Sequence, residues 1–336
     1  MPGPGEACLA PTAGRERKAA RGVRVCIVGC GAVGSIFAAN LALLDGIEIW
    51  AYDVSREHVD AINRDGLRLS GVADVVGPVR ATSNPAELPP ARFGIVATKG
   101  MHTHSAIRAA AAAFAGESAV VSVQNGLGNE EVIAEHVEQV MRGTTFPAGH
   151  LVAPGHVSWE TSGDTWIGPF EPRPAPMALV SELAEVLSRA GLPTTAHEDA
   201  RGAQWNKAIF NASTNPVAAL TLLTHGAVTD FAPTRRLVSS LIEEGRAVAA
   251  ALGIELVGDP EDMVEHAARV VHGHRPSMLQ DVLAQRETEV EFLNGAIVRY
   301  GEAAGVAAPL NKAIWALVQG LERSWPTTTE REAQNP

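Results

Sequence analysis

Three closely spaced glycines follow a β-branched apolar run near the start of the chain. The run Arg24–Val28 leads into Gly29-Cys30-Gly31-Ala32-Val33-Gly34, and apolar residues with helical spacing continue to Leu44. A strand, a glycine turn and a helix in this order are typical of a dinucleotide-binding βαβ unit. There the backbone approaches a pyrophosphate, which the N–H groups at the helix start attract. The predicted cofactor-binding residues are therefore Gly29, Gly31, Ala32, Val33 and Gly34.

This segment has two other interpretations. Val25–Leu44 is almost uncharged and long enough for a membrane-spanning helix, although the glycines and the β-branched start favour strand, turn and helix. The second alternative is a plain strand–helix turn in which the glycines serve packing alone.

Asp53 follows the second predicted strand, Ile47–Tyr52, and lies 19 residues after Gly34. A carboxylate at this place accepts hydrogen bonds from the ribose hydroxyls of adenosine and repels a 2′-phosphate. We therefore predict NAD as the preferred cofactor, with NADP as the alternative because Arg56 lies nearby. Asp53 also fits the N-cap of the predicted helix Arg56–Asp65, and the two roles are compatible.

Strands and helices alternate over the first 198 residues. Apolar runs at Phe93–Ala97 and Ala119–Val123 lead into polar loops, which predicts a doubly wound parallel sheet. Three alternating segments predict antiparallel strands that close the domain: Gly149–Val152, His156–Thr161 and Thr165–Gly168. From about Asp199 helical periodicity dominates. We predict an α/β protein with a Rossmann-type domain at 23–198 and an all-helical substrate or dimerisation domain at 199–325. A disordered tail at 1–22 and a flexible C-terminus at 326–336 flank them.

Charge and cysteine content limit the partners and the location. The net charge is −11, so the protein repels phosphate backbones and nucleic acid is not an expected partner. Three cysteines give no disulfide framework, and residues 1–22 lack the hydrophobic region of a secretory signal, which predicts a cytoplasmic protein without a membrane partner. A transit peptide and a start codon placed too early are the alternatives for the tail.

Lys207, Asn211 and Asn215 recur at every fourth position, so they share one face of a predicted helix. Pro216 disfavours helical backbone at Asn215, which predicts that this amide ends the helix. A lysine and two amides beside an apolar run indicate a buried polar site, with a solvated face as the alternative. An ammonium there can stabilise and protonate the alkoxide that forms when hydride adds to a carbonyl carbon.

A further block reads Pro276-Ser277-Met278-Leu279-Gln280-Asp281, then Arg286-Glu287-Thr288-Glu289 and Asn294-Gly295. With the glycine turn, Lys99, Gln124-Asn125-Gly126 and the Lys207 helix, it resembles the ketopantoate reductase (2-dehydropantoate 2-reductase) family. The resemblance covers about Arg24 to Trp315.

The resemblance implies roles for individual residues. Lys207 matches the family's catalytic lysine, the general acid for the ketone oxygen, and Glu289 matches the glutamate that works beside it. Lys99 and Asn125 match residues at the cofactor and its nicotinamide end. Asp53 stands where the NADP-using members have an arginine that grips the 2′-phosphate, which is consistent with NAD.

The same resemblance implies a substrate site. Asn211, Asn215 and Ser277 match polar residues that hold the substrate. His225 and His274 stand where the best-studied pattern has asparagines, and two imidazoles in place of two amides reshape and recharge the pocket. The substrate is then ketopantoate or a different 2-oxo acid, or a bulkier ketone.

The expected function is NAD(P)-dependent hydride transfer between a 2-oxo acid and a 2-hydroxy acid, catalysed by a protein that is expected to form a homodimer. The alternatives are an NAD-dependent, catabolic dehydrogenase of another hydroxy acid or a larger secondary alcohol, and a non-catalytic NAD-binding sensor. No metal is expected, because the histidine groups at His102 and His104 and at 266–274 lack supporting ligands at metal-binding spacing. His102 and His104 are predicted to be loop residues near the cofactor mouth.

Overall fold

The computed structural model describes residues 22–326. The predictions for the tails at 1–22 and 326–336 lie outside these residues, apart from Gly22 and Pro326 at the two ends. The described strands are β1 Val23–Val28, β2 Ile47–Tyr52, β3 Leu67–Gly71, β4 Val75–Gly77, β5 Arg80–Thr82, β6 Phe93–Val96, β7 Ala119–Ser122, β8 Val140–Thr145, β9 Ala148–Ala153, β10 His156–Thr161, β11 Thr165–Pro169 and β12 Thr194–Ala196.

The described α-helices alternate with the strands in the first half and fill the second. They are α1 Ala32–Leu41, α2 Arg56–Asp65, α3 Thr103–Ala110, α4 Asn129–Ala134, α5 Met177–Arg189, α6 Arg201–Thr221, α7 His225–Asp230, α8 Ala232–Ala251, α9 Pro260–Val270, α10 Ser277–Leu283, α11 Asn294–Ala304 and α12 Pro309–Arg323. The boundary predicted near Glu198 falls between β12 and α6.

The main sheet has eight strands in the order β12-β11-β8-β7-β6-β1-β2-β5. The six strands from β8 to β5 are parallel to one another, and β11 runs antiparallel to β8. The strand order reverses between β1 and β6, where a doubly wound sheet opens a crevice beyond its carboxyl edge. The predicted fold class, a Rossmann-type α/β domain followed by a helical domain, is confirmed.

A second, four-stranded sheet has the order β4-β3-β10-β9 and was not predicted from the sequence. β9 and β10 do form an antiparallel pair, but β10 continues parallel to β3 instead of joining the main sheet. Helix α1 contacts strands of both sheets. Its side chains Ile36, Phe37 and Leu41 are fully buried.

The burial of α1 explains why Val25–Leu44 is so apolar. The segment is a six-residue strand and a ten-residue helix inside the domain core, so the membrane-spanning interpretation is wrong. Within residues 22–326, no helix combines the length and apolar character needed to cross a bilayer.

Helix α6 does not end at Asn215 as predicted but continues through Pro216 to Thr221. Proline has no N–H, so the carbonyl of Ala212, four residues earlier, loses its helical donor. The side chain of Asn294, at the start of α11, replaces that donor and gives its Nδ2–H to the Ala212 oxygen at 2.8 Å. A tertiary contact therefore overrides the local preference, and Asn215 lies buried inside the helix.

Candidate active site

Two of the three glycines in the turn after β1 are required by close packing. A Cβ on Gly29, which has φ +90°, would lie 2.5 Å from Thr98 Cγ2. A Cβ on Gly34 would lie 2.0 Å from the Gly29 oxygen. At Gly31, by contrast, no atom of the described residues beyond the local backbone and the two chain neighbours lies within 4 Å of the added Cβ, so this side of the turn is open.

The start of α1 has the properties of an anion site. Gly31 is its N-cap, and within the described residues this end has neither a side-chain cap nor an acidic residue in the first turn. The N–H groups of a first turn have no intrahelical acceptor and lie at the positive end of the helix dipole. Ala32 and Val33, both half-buried, form that turn. These residues fit the pyrophosphate of a dinucleotide.

Asp53 lies beside this turn at the end of β2. Its Oδ2 accepts a hydrogen bond from the Cys30 N–H at 2.8 Å, and its Oδ1 accepts one from the Ser55 N–H at 2.9 Å. The N-cap of α2 is Ser55, whose Oγ accepts from the His58 N–H, so the N-cap interpretation of Asp53 is wrong. The carboxylate is half-buried and its place is consistent with a contact to the adenosine ribose.

The loops after β6 and β7 meet the helical domain at the crevice. Lys99 forms an ion pair with Asp281, a residue of α10 whose side chain is 5% exposed. Arg286 Nη2 lies 3.2 Å from the other oxygen of the same carboxylate. Asp281 is the last residue of the Pro276–Asp281 block that carries the family resemblance, but no site role was predicted for it. A sequence does not reveal that its partner is Lys99, 182 residues away.

Lys207, Asn125 and Glu289 form a row at this edge of the sheet. Lys207 Nζ donates to Asn125 Oδ1 at 2.9 Å and also to the Thr145 carbonyl oxygen. Asn125 Nδ2 donates to Glu289 Oε2 at 3.4 Å. Within the described residues Lys207 and Glu289 form no ion pair, so the Asn125 amide bridges them. The Lys207 ammonium also lies 5.2 Å from the centre of the Phe146 ring.

The row has an unusual electrostatic state. Burial lowers the pKa of Lys207 to about 8, and the nearby Glu289 opposes that shift only in part. Burial also raises the pKa of Glu289, against the effects of the Lys99 charge and of the hydrogen bond from Asn125. A lysine with a pKa near neutrality can both give and accept a proton at physiological pH.

Two of the predicted polar substrate residues lie on the Lys207 helix, and the third begins α10. Asn211 and Asn215 follow Lys207 on one face of α6 and are buried. Asn215 Oδ1 accepts from Thr214 Oγ1 at 3.3 Å. Ser277 is the exposed first residue of α10.

His225 and His274 form an aromatic stack with Phe210, one helical turn after Lys207. The ring centres of Phe210 and His225 are 5.9 Å apart and the planes differ by 15°. Those of His225 and His274 are 5.8 Å apart and differ by 10°. Burial, followed by the neighbouring His274, lowers the pKa of His225 to about 4, so His225 is neutral at physiological pH. The Phe210 contribution was not predicted.

The histidines predicted to lie in a loop near the cofactor mouth are in helices. His102 ends a short 3₁₀ turn at Gly100–His102, and His104 lies in the first turn of α3. The loop prediction is wrong because the chain turns helical immediately after Lys99.

The chain matches the models of two consecutive domains. The model described as ketopantoate reductase PanE/ApbA matches residues 25–172, and the model of the ketopantoate reductase PanE/ApbA C-terminal domain matches residues 199–322. A 2-dehydropantoate 2-reductase of Archaeoglobus fulgidus is 34% identical over 303 residues, which are 89% of this chain and 98% of the relative. One of Halobacterium salinarum is 33% identical over 311 residues, with 90% and 99% covered.

Solved structures agree with these matches. A PanE/ApbA family ketopantoate reductase from Ralstonia eutropha JMP134 superposes with a TM-score of 0.81 at 31% identity, covering 90% of this chain and 99% of the other. A D-mandelate dehydrogenase in complex with NADH and anilino(oxo)acetate superposes with a TM-score of 0.82 at 26% identity, with the same coverage.

Proposed function

Because the chain belongs to the ketopantoate reductase family of NAD(P)-dependent oxidoreductases acting on CH–OH groups, we propose that it interconverts a 2-oxo acid and its 2-hydroxy acid. In this proposal Lys207 is the general acid and base. The observation that carries the proposal is the hydrogen-bonded row of Lys207, Asn125 and Glu289 at the carboxyl edge of the sheet.

The cofactor would be held across the carboxyl edge of the sheet. The first turn of α1 would bind the pyrophosphate, and Asp53 the adenosine ribose, which favours NAD over NADP. Lys99 and Asn125 would border the nicotinamide. When bound, the nicotinamide supplies or accepts the hydride.

Lys207 would act on the substrate oxygen. As an ammonium it stabilises negative charge on the carbonyl oxygen and gives up a proton to it during reduction. As a neutral amine it accepts the hydroxyl proton during oxidation. A pKa of about 8 makes both forms available within one pH unit of neutrality.

Asn125 and Glu289 would position that lysine. The Asn125 amide donates to Glu289 and accepts from Lys207, so the carboxylate fixes the amide's orientation and the amide fixes the ammonium. Glu289 also raises the Lys207 pKa through its charge. Asn211, Asn215 and Ser277 would then hold the polar groups of the substrate.

A second candidate substrate class is favoured by the stack of Phe210, His225 and His274. A flat ring can extend such a stack. The ring centres of typical aromatic pairs lie about 4.5–7 Å apart, and both separations in this stack fall within that range. The D-mandelate dehydrogenase with a similar fold was solved with anilino(oxo)acetate, an aryl 2-oxo acid derivative. Aryl 2-oxo acids therefore stand beside ketopantoate as candidates.

The test is a steady-state absorbance assay of the purified protein against ketopantoate, phenylglyoxylate and short aliphatic 2-oxo acids, each with NADH and NADPH. We expect turnover of a 2-oxo acid with NADH preferred. Preference for phenylglyoxylate would assign the stack to substrate binding, whereas preference for ketopantoate would leave the stack a packing feature. NADH binding without turnover of any 2-oxo or 2-hydroxy acid would overturn the proposal in favour of a sensor.

The predicted homodimer and cytoplasmic location stay predictions. Size-exclusion chromatography with light scattering would give the oligomeric state directly.

A further inference from the structure

Outside the Lys207 row, the fold brings His104 next to Glu135 and His136, which lie about thirty residues later in the sequence. His104 comes from the first turn of α3, and Glu135 and His136 directly follow α4. The ligand-type atoms of all three lie within 4.8 Å of one another. The two imidazole rings meet edge to face, with centres 5.3 Å apart.

Two imidazoles and one carboxylate are a donor set that zinc-class ions use. Such an ion holds its ligands at about 2.0–2.2 Å, so donors in a tetrahedral site lie about 3.4 Å apart. His104 and Glu135 are exposed, so their side chains can rotate to shorten the present separations. A fourth position would remain for water.

His136 provides an independent observation. Its Nε2 is buried and has no hydrogen-bond partner among the described residues. A buried polar nitrogen without a partner loses its hydration and gains nothing in return. A cation bound by this ring is one way in which its lone pair gains a partner.

We propose that His104, Glu135 and His136 bind a divalent transition-metal ion of the zinc class. The expectation of no metal rested on the spacing of histidines within single segments. Such spacing cannot predict a tertiary contact between residues 104 and 136. The site bridges α3 and α4, the helices that follow the Lys99 and Asn125 loops. Those helices are already joined by a hydrogen bond from Thr103 Oγ1 to Asn129 Oδ1 at 3.0 Å. The ion would be structural and would take no part in the redox reaction.

The test uses untagged full-length protein that has been treated with EDTA and dialysed. Isothermal titration with ZnCl₂ should show one ion per chain, and zinc should raise the melting temperature by about 2 °C or more. His104→Gln and His136→Gln should each weaken binding at least tenfold. Glu135→Gln should weaken it less, because the amide oxygen can still coordinate the ion, although more weakly than a carboxylate does.

The matched control is His150→Gln. His150 also pairs with a carboxylate, that of Glu160, at 3.0 Å, but within the described residues this pair belongs to no group of three ligand-type side chains. The His150→Gln substitution should leave zinc binding unchanged. Circular dichroism and NADH affinity without zinc should match the wild type in all variants. The proposal is overturned if zinc binds without fixed stoichiometry, or if the cluster variants bind it as well as the His150 variant does.

Discussion

Asp53 contacts two backbone N–H groups, one in the glycine turn and one before α2. Its charge therefore has a structural partner whether or not a cofactor is bound. In the proposed cofactor site, a 2′-phosphate of NADP would approach this carboxylate at the end of β2, so charge repulsion at one residue is expected to decide the cofactor preference.

We predict that Asp53→Asn reduces the preference for NADH over NADPH by about tenfold, equivalent to about 1.4 kcal/mol. The amide oxygen can still accept one of the two N–H groups, so the turn is retained. Asp53→Arg should shift the preference further toward NADPH, because the guanidinium attracts the 2′-phosphate. It should also cost more stability than Asp53→Asn does. The ratio of kcat/KM values for the two cofactors is the measurement. Asp60→Asn, an exposed acid on α2, is the control and should leave the ratio unchanged.

Residue-level chemistry was predictable where local motifs carry it. The spacing of Lys207, Asn211 and Asn215 indicated the Lys207 helix, and the family resemblance implied the roles of Glu289 and Asn125. The structure brings Lys207, Asn125 and Glu289 into one row. The ion pair between Lys99 and Asp281 was not predictable, because only the docking of two domains brings them together.

At the scale of elements, α6 depends on a helix far from it in sequence. The Ala212 carbonyl receives its hydrogen bond from Asn294 in place of the missing Pro216 N–H. Local rules predicted a helix end here and were wrong for this reason. The small sheet was missed for a related reason: β4 has three residues, and β3 pairs with β10, almost ninety residues later.

We predict that Asn294→Ala destabilises the protein by about 1–3 kcal/mol, since it leaves a buried carbonyl without a donor. Pro216→Ala restores a backbone N–H that can reach the same carbonyl. The double variant should therefore lose less than the sum of the two single losses. Urea unfolding of the four proteins gives this coupling energy. Strict additivity would show that the Asn294 contact does not replace the helical bond.

At the scale of the whole molecule, a buried polar chain joins the two domains. Gln204 of α6 donates to Glu130 of α4 at 2.7 Å and accepts from Arg142 of β8 at 2.8 Å. Burial raises the pKa of Glu130 to about 7, although the Arg142 charge opposes the shift. Strand β8 also contains Thr145, whose carbonyl oxygen accepts a hydrogen bond from Lys207. The hydrogen bonds of Arg142, Gln204 and Glu130 therefore help to position the Lys207 row.

The raised pKa makes a prediction about stability. Between pH 4.5 and about 7 the folded protein binds more protons at Glu130 than the unfolded chain does, so this contribution to stability falls as the pH rises through that window. Glu130→Gln keeps an acceptor for Gln204 and removes the titration. Its free energy of unfolding should exceed that of the wild type by about 1–3 kcal/mol at pH 8 and match it at pH 4. Glu185→Gln, an exposed acid on α5, should follow the wild type at both pH values. A Glu130→Gln protein that is less stable at pH 8 would show that the charged form is needed.

The overall architecture was predictable because alternating strands and helices permit few arrangements. The relative placement of the domains was not, because the residues that join them, such as Phe292 against Gly100 and Gly126, carry no periodic signal.

The central claim is that Lys207 gives a proton in reduction and accepts one in oxidation. The most direct test is the pH dependence of kcat/KM in both directions, for the wild type, Lys207→Ala and the exposed control Lys312→Ala. With a pKa of about 8, reduction should fall and oxidation should rise as the pH increases through that value. Lys207→Ala should lose about 10²–10⁴-fold in both directions while it still binds NADH, and Lys312→Ala should match the wild type. Unchanged turnover in Lys207→Ala would contradict the account. So would values of kcat/KM that change in the same direction with pH for reduction and for oxidation.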